Sequence, residues 1–507
     1  MVKYAIHYCK VDVDVLKKGV MIFRKWILEA LKIDCFNFYT IPSISHEYFM
    51  REKCYDGVYQ IGGVVREFIN KSLVGGRTML CENKKQYRNG KVADYDAVSL
   101  YPSAMKRMRG FLKGKPKVIE DFTPEYYDGF FIEIKIKKVN KYLKFPIISV
   151  INDDGIREFT NDVNVIGNRS IFCDKETFDM MVEYHKIEYD FIRGYYFDEG
   201  HNKTINTVIE TVFNNRLKAK KAGNPIQEVW KLIMNSGYGK SITKPHDTST
   251  HYITSEEELD KFVWRHYDWI SDAITPIPRE YGGDMYRVKK ADAIHTHYNY
   301  AHIGIEILSM SKRIMSEVMV SAEDNGLDIT YTDTDSIHIN YDDVAKLEKI
   351  FEEKYNRKLT GKGMGQFHID FDLGKCEDIH SVEFIGLGKK CYIDKLQGVN
   401  PKTKETEIGY HIRLKGVPNA CIMRKVNDDY GGDPMKLYKE LYDKKTVVFD
   451  LLKGWNEEDG NYQKPAFTHH KSFVISNAVN FTREINFGWT KDEKKEYNKN
   501  KKRKLNK

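Results

Sequence analysis

The feature that most restricts this chain is a short acidic turn, Tyr331-Thr332-Asp333-Thr334-Asp335-Ser336, set between two apolar stretches. Residues 327–331 and 336–340 read as strands, and Asp333-Thr334-Asp335 as the tight turn of a hairpin. Alternate residues of a ribbon share a face, so Asp333 and Asp335 are expected on the same side. An isolated Asp-x-Asp says little, because surface turns favour aspartate. Here the flanking strands are apolar enough to be buried, and a charged tip between buried strands requires a counter-ion.

A second acidic element lies upstream. Asp94-Tyr95-Asp96-Ala97-Val98-Ser99-Leu100-Tyr101-Pro102 reads as a strand over 92–96 that gives way to a turn, with a new element starting at Tyr101-Pro102. Two aspartate-bearing strand ends suit chemistry that holds two divalent cations about 4 Å apart around a phosphate. Mg²⁺ favours carboxylates, water and phosphate oxygens as ligands.

A third element is helical. Residues 203–222 have helical spacing and end at Gly223. Asn224 and Pro225 then suit the N-cap and first position of a second helix through residue 235. On that second helix Gln227, Lys231, Met234 or Asn235, and Tyr238 follow the rhythm of one face. The face joins a cation for phosphate, an amide, and a ring able to stack on a base. Arg216 and Lys220, one turn apart on the first helix, are placed to meet the same triphosphate, although a solvated basic face is an equal reading of Arg216, Lys218, Lys220 and Lys221.

In order, DxxSLYPS from Asp96, Kx3NSxYG from Lys231 and YxDTDS from Tyr331 resemble motifs A, B and C of family B DNA polymerases. Gly388-Lys389-Lys390-Cys391-Tyr392 resembles the KxY motif, and Gly75-Gly76-Arg77-Thr78 the glycine loop before the polymerase module. The pattern is most similar to the viral, phage and linear-plasmid branch that starts synthesis from a protein. Residues 172–189 and the long gap after motif B resemble that branch's two palm insertions. The resemblance covers nearly the whole chain.

It implies an α+β right-hand polymerase with palm, helical-hairpin fingers and thumb. Asp96 and Asp335 would be the metal ligands, Asp333 an accessory carboxylate, and the Ala97 carbonyl a further ligand. Two Mg²⁺ ions are implied, with Mn²⁺ able to substitute. Tyr101 would be the steric gate against a ribose 2′-hydroxyl. Lys231 would bind the triphosphate beside Arg216, Lys220 and Asn235, and Tyr238 would pack on the nascent base pair. Gly75, Gly76, Ser99 and Gly239 would lie along the DNA, and Lys390 and Tyr392 would hold the primer terminus. Primer-template DNA and dNTPs are the implied partners.

The branch normally carries an N-terminal exonuclease with three acidic motifs. Only the last is matched, by Tyr8 and Asp12 in a YxxxD pattern ahead of a helix expected over 12–31. The expectation is therefore a chain cut within the final exonuclease segment, without proofreading of its own. A separate exonuclease chain or a priming terminal protein is a possible partner. The implied layout is an exonuclease remnant and connector over 1–60, palm over 61–148 with motif A, an insertion over 149–202 and fingers over 203–245. A second insertion over 246–298, palm over 299–398, thumb over 399–490 and a basic tail over 491–507 complete it.

Composition adds limits. The net charge is +8, but residues 491–507 hold nine basic and three acidic residues, a net of +6, which leaves +2 for the rest. The tail would add non-specific phosphate affinity only. Eight scattered cysteines without a CxxC pair read as free thiols in a reducing compartment. No apolar run spans a membrane and no secretion signal opens the chain, so the expected location is cytoplasmic, in a virus-, phage- or plasmid-bearing host cell. His295 with His297, and His469 with His470, lack a third ligand and read as structural. Two readings from other classes compete. A catalytically silent DNA-binding remnant conflicts with the survival of Asp96, Asp333, Asp335 and Lys231. A reverse transcriptase would carry Tyr-x-Asp-Asp at the tip.

Overall fold

The computed structural model describes residues 2–507 apart from 153–154, 245–247, 273, 280–282, 284, 293–296, 444, 454–478 and 486–507. Its residues fall into two compact units. One comprises Gly75–Leu100, Tyr142–Ile147 and Ile314–Lys507, the other Met1–Val74, Tyr101–Lys141 and Ile148–Arg313.

The first unit is built on an eight-stranded sheet in the order Thr78–Leu80, Ile329–Asp333, Ser336–Asn340, Gln86–Ala97, Glu377–Gly388, Cys391–Val399, Thr406–Leu414. Phe367–Ile369 pairs with Gln86–Ala97 off this path. All these pairings are antiparallel. The sheet curls, because residues from strands far apart in this order share one core: Leu80, Tyr331, Phe384 and Tyr392, with Val92. Gly386 makes the closure possible, since a Cβ there would stand 2.4 Å from Leu80 Cδ2. Helices Asn419–Tyr430 and Pro434–Tyr442 bury Ile422, Val426, Leu437, Tyr438 and Leu441 with residues of the last strands. The Tyr438 hydroxyl donates to the Arg413 carbonyl at 2.8 Å.

The second unit carries a four-stranded sheet, Lys117–Val118, Ile187–Phe197, Gly129–Val139 and Ile171–Asp174. Its core joins Phe68, Ile69, Phe131, Phe197, Ala301 and Ile305. The expected helical hairpin is present as Thr204–Lys221 and Gln227–Ser236. The turn uses Gly223 at φ +64°, and the Asn224 side chain accepts from the Ile226 amide at 3.0 Å.

Several boundaries differ from the sequence expectation. The N-terminal helix is Val2–Leu31, so it starts ten residues earlier than expected and takes in Tyr8 as well as Asp12. The motif A strand extends to Gln86–Ala97, because its polar first half is held by ladder bonds to Glu377–Gly388. In the strand Gly129–Val139 the residues alternate apolar and polar along Ile132-Glu133-Ile134-Lys135-Ile136-Lys137, yet its first six residues are all buried. Neighbouring strands flank it on both edges. The described part ends at the pairing of Val447–Lys453 with Val479–Ile485; the expected tail and His469 with His470 lie outside the described residues.

Candidate active site

The two acidic elements meet in the curled sheet. Ser336 stands opposite Asp96 on one side and Asp333 on the other, and the Ala97 amide donates to the Asp335 carbonyl at 2.8 Å. The tip is shaped by Thr334, whose φ of +61° breaks the alternation. Asp333 and Asp335 differ in how they are held. Asp333 is tied down: Lys390 Nζ reaches its two oxygens at 2.8 and 2.9 Å, and the Thr78 hydroxyl donates to it at 2.9 Å. Tyr331 donates to it as well, at 3.2 Å.

Asp335 feels the charge of Lys390 only as a minor offset, and Asp96 is surrounded by carboxylates. Burial, then the charges of Asp335, Asp370 and Asp94, push the Asp96 carboxyl up to about 8. Burial likewise raises Asp335, with Asp333 and Asp370 adding to the effect and its own backbone amide opposing it. Two partly buried carboxylates that repel each other could be relieved by a divalent cation. Among the described residues no three His, Cys, Asp or Glu side chains converge as a complete ligand set. A pair is nevertheless the donor set that Mg²⁺ uses when substrate phosphates and water supply the rest. Asp96 and Asp335 would hold the metal, which on binding supplies Lewis-acid stabilisation of charge on phosphate oxygens.

Asp370 was not anticipated. It follows the strand Phe367–Ile369, its amide donates to the Asp94 carbonyl at 3.0 Å, and its charge acts on both Asp96 and Asp335. No motif marks it, since it lies far along the chain from both carboxylates it influences.

The Gly75-Gly76 loop buttresses the tip. The Thr334 amide donates to the Arg77 carbonyl at 2.8 Å, and a Cβ on Gly76 would lie 2.5 to 2.9 Å from three Thr334 side-chain atoms. Gly76→Ala therefore displaces Thr334, whose Cβ itself lies within 2.9 Å of the added atom, so a side-chain rotation alone does not clear it. At roughly 1–3 kcal/mol of overpacking, primer extension is expected to fall about tenfold. Thr334→Gly in the same chain removes the clash and tolerates the positive φ. Steady-state rates of the single and double variants check this; a double variant no better than Gly76→Ala contradicts it.

Lys390 sits at positive φ in the turn between Glu377–Gly388 and Cys391–Val399. Tyr392 is packed inside, its ring 4.7 Å from that of Tyr331. Ser99 also has positive φ, at +52°.

In the other unit Tyr101 stacks on Tyr238, with centroids 4.3 Å apart and planes at 28°. Lys231 and Asn235 are exposed on their helix while Met234 is fully buried. Met234 thus belongs to the opposite, packed face, because a seven-residue step falls nearer the core side than an eight-residue one. Arg216 is half-buried and Lys220 exposed; Gly239 follows Tyr238 in the turn after the helix. Tyr8 is 58% exposed and Asp12 is exposed too. His297 accepts from Arg66 through its carbonyl at 2.9 Å, whereas His295 lies outside the described residues.

This geometry has relatives. The sequence profile described as DNA polymerase type B, organellar and viral, matches residues 1–325. A probable DNA polymerase of Neurospora intermedia is 27% identical over 417 residues, covering 79% of this chain and 40% of the relative. A DNA polymerase of Kluyveromyces lactis is 22% identical over 434 residues, covering 83% of this chain and 40% of the relative. The matches thus span about two fifths of these relatives' length. Among solved structures, Phi29 DNA polymerase with primer-template DNA and incoming nucleotide substrates superposes with a TM-score of 0.58. That pair shares 16% identity, covering 89% of this chain and 68% of the other. The Phi29 enzyme in an orthorhombic crystal form gives 0.56 at 18% identity, covering 78% and 63%. The fold is accordingly the α+β right hand of polymerases. Since the family profile covers well over half of it, the chain belongs to the organellar and viral type B DNA polymerases.

Proposed function

We propose that this chain is a template-directed DNA polymerase that adds dNTPs to a primer 3′ end by two-metal-ion catalysis, in replication of a viral or plasmid genome. The observation that carries the reading is the Asp96–Asp335 pair, half-buried, with Asp96 raised by burial and the charge of Asp335, and with Asp335 offset only in part by the charge of Lys390. With both carboxylates ionised, such a pair is unfavourable until a cation of charge two arrives. The solved neighbour that contains primer-template DNA and incoming nucleotides supports the substrate class.

Each residue has a task in this reading. Asp96 and Asp335 hold the metal ions, and Asp333 holds Lys390 in place at 2.8 Å. Lys231, exposed on its helix, supplies a point charge for triphosphate oxygens. Tyr101, braced by Tyr238, closes off the space beside the sugar. Tyr8 and Asp12 stand on exposed turns of Val2–Leu31 without further carboxylates gathered into a ligand set among the described residues, so no 3′ trimming by this chain alone is expected. The test is extension of a labelled primer on a template by the purified chain with Mg²⁺ and dNTPs, with a second reaction lacking dNTPs. Extension without trimming supports the reading; no extension with either Mg²⁺ or Mn²⁺ refutes it.

The charge state of Asp96 adds a pH dependence. A carboxyl raised to about 8 carries a proton in the metal-free chain at neutral pH, and the cation must displace it. Half-saturating Mg²⁺ is expected to climb as pH falls below 8, by up to about tenfold per unit. Folding is linked in the opposite sense. The folded state holds this proton more tightly than the unfolded one, so the stabilisation is full below pH ~4 and fades as pH rises to ~8. In chelator the melting temperature should therefore drop from about pH 5 to about pH 8 and level off above that, and Mg²⁺ should restore it. A melting temperature in chelator independent of pH over this range would contradict the assignment.

A further inference from the structure

Behind the acidic tip lies a second set of ionisable groups that the reaction does not touch. His338 is fully buried, enclosed by the rings of Tyr331, Phe371, Phe384 and Tyr392 at 5.2 to 5.8 Å. Its Nε2 lies 3.2 Å from Asp394 Oδ2, a hydrogen bond, and its Nδ1 lies 3.5 Å from Asp94 Oδ1, an ion-pair contact. Both carboxylates are buried as well. Burial opposes charge on the imidazole, but Asp94 and Asp394 overcome it and raise it to about 9. His411, 3.9 Å from Asp394, is pulled down to about 4 by burial and stays neutral.

The core that surrounds His338 is otherwise apolar and aromatic, with Leu80, Val92, Tyr331, Phe384 and Tyr392, so an ionic group is not needed there for burial. Replacing such groups by apolar ones is often neutral or stabilising. Placement gives the triad its meaning. Asp94 is two residues before Asp96 on Gln86–Ala97. His338 is on Ser336–Asn340, the strand leaving the tip, three residues after Asp335. Asp394 is on Cys391–Val399, four residues after Lys390, which holds Asp333. The His338–Asp394 bond crosses the interior of the curled sheet, joining strands that are not neighbours in the ladder.

We propose that Asp94, His338 and Asp394 form a buried positioning triad that locks three strands in register, so that Asp96, Asp335 and the Asp333–Lys390 pair converge on the metal ions. The strand ends that bear the reactive carboxylates repel each other, and ladder bonds alone let them splay. The charged imidazole pulls their bases together from within. None of the three touches substrate or metal; they act through Asp96, Asp335 and Lys390. This inference rests on the metal-site reading above, and its test separates the two.

Asp394→Asn is the cleanest variant, because it leaves His338 paired with Asp94 and the interior free of net charge. Asp94→Asn with His338→Gln and Asp394→Asn removes every charge while keeping polar contacts. Each is compared with the parent for melting temperature, Mn²⁺ affinity without DNA, and the kcat and KM for dNTP in primer extension. Asp394→Asn is expected to melt within about 5 °C of the parent. Its Mn²⁺ affinity should nevertheless weaken about fivefold or more, and its kcat fall about tenfold with KM changed less than about twofold. A merely structural role predicts a lowered melting temperature with unchanged Mn²⁺ affinity and kcat in the folded protein, and that result overturns the proposal. The triple variant, if folded, must show the same losses, and parent-like Mn²⁺ affinity in it overturns the proposal equally. The metal arm decides whether or not the parent extends primers, so failure of the polymerase reading remains distinct from failure of this one.

Discussion

Asp96→Ala and Asp335→Ala each abolish primer extension, by about a thousandfold or more, while the metal-free chain becomes no less stable. The loss follows from removing one of the two carboxylates that, in the proposed function, would hold the metal. About 4 kcal/mol of transition-state stabilisation is at stake at each ligand, and each 1.36 kcal/mol is tenfold in rate. The stability result follows from the same electrostatics with the opposite sign. Asp96 is raised to about 8 by burial and then by Asp335, so deleting either partner relieves repulsion that a proton or a cation must relieve in the parent. Melting in chelator should therefore show an equal or higher midpoint for Asp335→Ala, and added Mg²⁺ should stabilise the variant less than the parent. Asp333→Asn should be milder in rate, because its carboxylate is engaged with Lys390, Thr78 and Tyr331. Substantial extension by either alanine variant would refute the metal-site assignment.

Sugar selection should collapse in Tyr101→Val. The ring is held by its stack on Tyr238 at 4.3 Å, so it is a fixed wall instead of a mobile side chain. Trimming it opens space beside a sugar's 2′ carbon, and a hydroxyl-sized misfit is worth roughly 10- to 200-fold in discrimination. The ratio of dNTP to rNTP incorporation opposite one template base should fall by about that factor, with dNTP incorporation changed far less. Tyr238→Ala should shift the ratio in the same direction by less, since it removes the brace and leaves the wall. An unchanged ratio in Tyr101→Val would make this tyrosine a packing residue only.

Much of the site was legible along the chain because its signals are local. The acidic tip between alternating apolar strands, the aspartate at the end of a short strand, and the Gly223-Asn224-Pro225 break between two helices each need only a few consecutive residues. Strand and helix periodicity then place Asp96, Asp335 and Lys231 on recognisable elements. Periodicity failed where burial depended on what packs alongside. Met234 and Asn235 were equally eligible for the exposed face, and only the packing of the helix buried Met234 and exposed Asn235.

What the sequence by itself determined was the order and type of the chemical elements, because short-range backbone preferences and turn chemistry are written in adjacent residues. The tertiary structure alone decided which charges face which. Asp333 meets a lysine 57 residues away, and His338 meets an aspartate 56 residues away. Asp370 reaches the field of Asp96 only through a strand that joins the sheet from outside its main order. These pairings depend on the curl of the sheet, which is set by side chains from distant strands sharing one core and by the missing Cβ of Gly386 against Leu80. Coulombic energies fall with distance and rise with burial, and both are properties of the folded chain.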